Sequence, residues 1–175
     1  RNKPIKTSNK ADNQSNSNDG QGTSGSRWVG QYFTDSKYQG IGVDDFTVEL
    51  SRWSGITPSG DVQCKMFDSD HTTVLFTSPT TVPVSSLPTG SGSGDQHTFD
   101  FTGSTTPSNN FYIGCGFGGT ETYVRLHSSA DQIAGGQNAR MNSSWEGHGN
   151  GDLQYTMNYD GTGYADLIGT TIDNF

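Results

Sequence analysis

Apolar residues are scarce in this sequence: the hydrophobic set makes up 29% of its 175 residues. No apolar run approaches the roughly eighteen residues that a membrane-spanning helix needs, so no insertion into a membrane is expected. Cysteine is limited to Cys64 and Cys115. Two cysteines are too few for a disulfide framework and have the wrong spacing for a zinc site. Glutamate is nearly missing, with only Glu49, Glu121 and Glu146, which leaves little material for paired-carboxylate chemistry. Basic side chains are outnumbered, ten Lys and Arg against eighteen Asp and Glu, for a net charge of −8. That balance argues against a nucleic-acid-binding face.

Glycine is plentiful, at 24 residues, and Ser, Thr, Asn and Asp fill much of the rest. Glycine costs helix stability, and the short polar side chains compete for backbone hydrogen bonds. Aromatic residues reach 11%, enough for a core if strands present aromatic and β-branched inner faces. The length suits one domain.

The charge is unevenly distributed. Residues 1–27 carry five basic side chains, Arg1, Lys3, Lys6, Lys10 and Arg27, against the acidic Asp12 and Asp19. This is a surplus of three positive charges, so the remainder of the chain holds −11. Residues 1–26 read as a polar, extended arm whose centre, Asn13-Gln-Ser-Asn-Ser-Asn-Asp-Gly20, offers no apolar anchor. Such a segment cannot offset its ordering entropy by burial. A surface on a neighbouring copy is the expected support.

From Arg27 the chain alternates strand and turn signals. Phe46, Val48 and Leu50 share one parity, and so do Val62, Cys64 and Met66. Phe99 pairs with Phe101, Phe111 with Ile113, Cys115 and Phe117, Val124 with Leu126, and Leu153 with Tyr155, Met157 and Tyr159. Val29 to Thr34 form the first strand, and Leu75 and Phe76 mark another. Gly- and Pro-containing turns lie between them. About eight strands, each with one polar and one apolar face, predict an all-β antiparallel sandwich. The predicted division is arm 1–26, sandwich 27–160 and C-terminal extension 161–175.

The motif order carries a resemblance. Gly30-Gln-Tyr-Phe-Thr34 precedes an alternating strand from Asp45 to Trp53, and Pro58-Ser-Gly-Asp-Val62 leads to Phe67-Asp-Ser-Asp70. Leu75-Phe-Thr-Ser-Pro79, Val84-Ser-Ser-Leu-Pro-Thr-Gly90, Thr98-Phe-Asp-Phe101 and Asn110-Phe-Tyr-Ile113 follow. Over Val29 to Asp160 this resembles the jelly-roll-like β-sandwich modules of secreted bacterial and archaeal surface proteins and of phage virion proteins. The resemblance implies display outside the cell or on a virion surface, with adhesion, glycan contact or structural packing as the role. It implies no enzyme.

Gly114-Cys-Gly-Phe-Gly-Gly119 has dinucleotide-loop spacing, but no helix follows to receive a pyrophosphate, so the glycines read as strand relaxation. Asp68 and Asp70 could offer oxygens to a calcium ion, the one cofactor the sequence suggests, although they lack calcium-loop spacing. The alternative is that they hold an Asx turn. The four histidines, 71, 97, 127 and 148, show no ligand spacing. Cys64 and Cys115 fall on inward parities and could bridge or sit as small buried hydrophobes. Trp53, Trp145, Tyr32 and Tyr38 are the candidates for stacking on sugars, against the alternative that each tryptophan plugs an end of the core. Tyr112 and Tyr123 share outward parity. Asn13 and Asn142 match the N-glycosylation pattern.

Two readings follow. The first is a non-catalytic structural subunit whose partners are copies of itself, assembling into a filament, surface layer or capsid-like shell by arm or strand exchange. The second is a carbohydrate-binding or adhesion module, with calcium assistance if the aspartates take a cation.

Overall fold

The computed structural model describes residues 6–10, 20–23, 28–52, 57–70, 72–89, 94–116, 122–125, 136–141, 145–147 and 155–160. Twelve strands occur among them: β1 Lys6–Lys10, β2 Gly20–Thr23, β3 Trp28–Phe33, β4 Gly42–Arg52, β5 Asp61–Asp68 and β6 Val74–Pro83. They continue as β7 Asp95–Thr105, β8 Phe111–Gly116, β9 Thr122–Arg125, β10 Gly136–Met141, β11 Trp145–Gly147 and β12 Tyr155–Asp160. The only helical pieces among the described residues are two 3-10 turns, Ser36–Tyr38 and Val84–Ser86.

The strands form two antiparallel sheets, as the alternation predicts. Sheet one runs β1-β12-β4-β9-β2, with β7 also on β4. Sheet two runs β11-β10-β3-β8-β5-β6. β4 organises sheet one. β7 lines one side of it over Gly42 to Leu50, while β12 pairs with Val43 to Val48 and β9 with Leu50 to Arg52 on the other.

The inner faces meet in one aromatic core. Phe33, Tyr38, Phe46, Phe99, Phe101 and Phe111 are fully buried, each worth about 2 kcal/mol by area burial. Phe33 of β3 meets Tyr155 of β12 edge-on at 5.7 Å, joining the two sheets. Phe76 and Phe101 join them again at 5.5 Å near the β6–β7 side. The large side chains supply the burial that the low apolar percentage alone would not provide.

β6 contains Pro79 and Pro83 yet is ten residues long. Proline lacks an N–H and is tolerated in a ladder at a sheet edge, and β6 is the last strand of sheet two. There it runs beside β7 of the other sheet, where the Asp100 N–H donates to Thr80 Oγ1 at 3.2 Å. A buried threonine secures the chain between β3 and β4. Thr106 Oγ1 donates to Tyr38 O at 2.7 Å and accepts from Ile41 N at 3.0 Å.

Candidate functional site

Two regions stand out, one at a sheet edge and one on a sheet face. The edge belongs to the arm. β1 pairs with β12 from Lys6 opposite Asp160 to Lys10 opposite Thr156. β2 pairs with β9 from Gly20 opposite Arg125 to Thr23 opposite Thr122. β12 and β9 both lie antiparallel to β4, on the same side of it. β1 and β2 therefore run in one direction along a common edge, as two pieces of a strap. Their sequences, Lys-Thr-Ser-Asn-Lys and Gly-Gln-Gly-Thr, contain no apolar residue, and main-chain ladders place them. Beneath the strap, Asn158 donates to both carboxylate oxygens of Asp45, at 2.8 and 3.0 Å, fixing β12 on β4.

The face is the outer side of sheet two. Strand alternation sends Val29, Phe33, Ile113, Cys64 and Met66 inward. Trp28, Tyr32, Tyr112 and Phe67 are left to form a second cluster outside. Register sets Tyr32, Tyr112, Phe67 and Val74 in one row across β3, β8, β5 and β6. Tyr32 and Tyr112 stack at 4.3 Å. In the next row Gly30 and Gly114 sit side by side and carry no Cβ. Trp28 meets Phe67 edge-on at 5.5 Å across this gap, with Lys65 Nζ 5.1 Å from the indole centroid, within cation–π range. Polar groups rim the row: Asn110 donates to Tyr32 OH at 2.9 Å, and Asn109 donates to Ser69 Oγ at 3.0 Å and to Asp68 Oδ1 at 3.3 Å. Burial, helped by Tyr32, pushes the Tyr112 phenol up to about 12.

Of the residues singled out in the sequence, Tyr32 lies in this patch. Tyr38 does not, and its reading as a sugar contact is corrected. It is fully buried, edge-on to Phe33 at 5.1 Å and to Tyr159 at 6.1 Å. The turn at Ser36–Tyr38, capped by Asp35 Oδ1 accepting from Lys37 N, swings it inward. Trp28 and Phe67 belong to the patch as well, and their parity, with Tyr32 for Trp28 and against Met66 for Phe67, marks them as outward.

Asp68 and Asp70 hold the β5–β6 turn. Asp68 Oδ1 accepts from Ser69 N, and Asp70 Oδ1 accepts from Thr72 N and Thr73 N. Hydrogen bonds from the Thr73 hydroxyl and backbone lower the Asp70 carboxyl to about 2. Among the described residues no group of three or more His, Cys, Asp or Glu side chains is gathered for a metal. Cys64 and Cys115 face each other on β5 and β8, and their sulfurs are bonded. Trp145 is placed on β11 opposite Met141 by its backbone. Trp53, His71, Asn13, Asn142 and the extension 161–175 lie outside the described residues.

No protein-family model matches the chain, and no curated protein matches it.

Proposed function

We propose that this protein is a non-catalytic structural subunit, displayed outside the cell or on a virion, that self-assembles through its N-terminal arm. The observation that carries this reading is the strap. Two polar segments of the arm pair along a sheet edge of their own chain through backbone ladders, the chemistry of β-augmentation. Arm and body are also oppositely charged, which favours their contact and makes it salt-sensitive. The bonded Cys64–Cys115 pair suits an oxidising compartment. A filament, a surface layer or a capsid-like shell would each use such a contact.

The test is to delete residues 1–26 and follow particle size by light scattering and negative-stain microscopy. The full chain should form large particles and the truncated chain should stay small. Equal particle size for both would reject the arm's role.

The outer patch favours a second reading, a carbohydrate-binding or adhesion module. Trp28 and Tyr32 are half-buried, and the Asn110 amide donates to Tyr32 OH, a pairing of stacking and hydrogen-bonding groups that suits sugars. Tyr32 and Tyr112 cover each other's faces rather than lying side by side, which narrows the platform. A glycan array with and without chelator tests this reading, and silence in both arms would remove it.

A further inference from the structure

We infer that in the assembled state the strap of one copy lies along the β12–β9 edge of a second copy, in the register that it has within one chain. This rests on the self-assembly reading and names its partner and its acceptor strands.

Four observations lead there. First, β1 and β2 are held by ladders that any copy's β12 and β9 can supply. An exchange between copies therefore keeps every described contact, which is why strand swapping costs little. Second, only four residues of sequence separate β2 from β3, and short connections invite exchange between copies.

Third, charge selects the partner. An arm, residues 1–26, with a surplus of two positive charges meets a body carrying −10, and Lys6 sits opposite Asp160. Two β1 strands pairing antiparallel about Ser8 would instead set Lys6 against Lys10 twice. Directly opposed like charges destabilise a ladder, and edge lysines discourage edge-to-edge pairing. Arms are thus directed to bodies rather than to arms.

Fourth, the opposite flank of the sandwich is closed. β6 and β7 run beside each other there, and Pro79 and Pro83 remove donors from the β6 edge. The acceptor flank is ready without its strap, because Asn158 ties β12 to Asp45 of β4. A contact between two different surfaces of the chain passes from copy to copy or closes into a ring.

The test uses full-length chains carrying single cysteines beyond the native pair. Lys10 lies opposite Thr156. Lys10→Cys and Thr156→Cys chains are mixed, assembled and mildly oxidised, then run on a non-reducing gel, with circular dichroism confirming that each folds. Particle size is followed in parallel. A covalent heterodimer in the assembled fraction, with yield falling as salt rises, is the expected result. Ser8→Cys alone reports arm-to-arm pairing and should give no homodimer. Particles without the heterodimer, or a Ser8→Cys homodimer in its place, would overturn the inference and leave self-assembly standing. A full-length chain that forms no particles would overturn both.

Discussion

Cys64 and Cys115 stand directly opposite each other on β5 and β8, bonded across a sequence separation of 51 in the inner face of sheet two. A bridge closing a loop of that length removes chain entropy worth about 4 kcal/mol from the unfolded state in the simplest treatment. Replacing both cysteines by alanine is expected to lower unfolding free energy by about 2–4 kcal/mol, measured by urea denaturation. The natural chain in reducing buffer should approach the double variant. Coincident urea midpoints for bridged and reduced protein would show that the bridge contributes nothing to stability.

Gly94 packs its backbone against β4. A Cβ placed there would lie 2.6 Å from Leu50 O, closer than any real side chain approaches a carbonyl. Its N–H also donates to Glu49 Oε1 at 2.8 Å. Gly94→Ala should cost about 1–3 kcal/mol, the range for forced overpacking, and should shift the thermal midpoint down. Glu49→Gln keeps the oxygen acceptor and should cost less. If Gly94→Ala melts with the natural protein, the close approach does not exist in solution.

Thr106 is buried and serves two backbone groups at once, Tyr38 O and Ile41 N. Valine has its shape but no hydroxyl, so Thr106→Val removes both hydrogen bonds. Each buried group left without a partner costs about 1–3 kcal/mol. Thr106→Ser restores the hydroxyl and should recover much of the loss. Equal midpoints for the valine and serine variants would count against the two hydrogen bonds.

The sandwich was legible because apolar side chains recur at every second position in β3, β4, β5, β7, β8 and β12, and buried faces enforce that period. β1, β2, β10 and β11 were not legible. Their sequences, such as Gly-Gln-Gly-Thr in β2, carry no alternation, and backbone ladders place them. The full span of β6 was hidden by prolines that are tolerated only because the strand is an edge. The outer patch was half legible: Tyr32 showed by parity, whereas the Trp28–Phe67 contact depends on the register of β3, β8 and β5, which one strand's pattern cannot supply. Tyr38 misled because it sits in a 3-10 turn, where alternation does not apply.

His97 lies on β7 opposite Val48, half-buried, with Nε2 enclosed and lacking a hydrogen-bond partner. Burial lowers its pKa below the usual 6.5, and the Asp95 charge opposes that shift without reversing it. Above about pH 6.5 the imidazole is neutral in both folded and unfolded chains, and its contribution to stability is fully present. As pH falls below that value the unfolded chain takes the proton first, so stability declines until the folded imidazole also protonates. The lowered carboxyls of Asp70 and Asp100 act only at lower pH, below about 4, leaving a separate window for His97. His97→Gln should therefore lose less stability than the natural chain between pH 7 and pH 5, read from urea midpoints at each pH. The slope carries the result, so any constant penalty of the substitution drops out. Parallel slopes for the two proteins would mean that His97 titrates alike in the folded and unfolded chains.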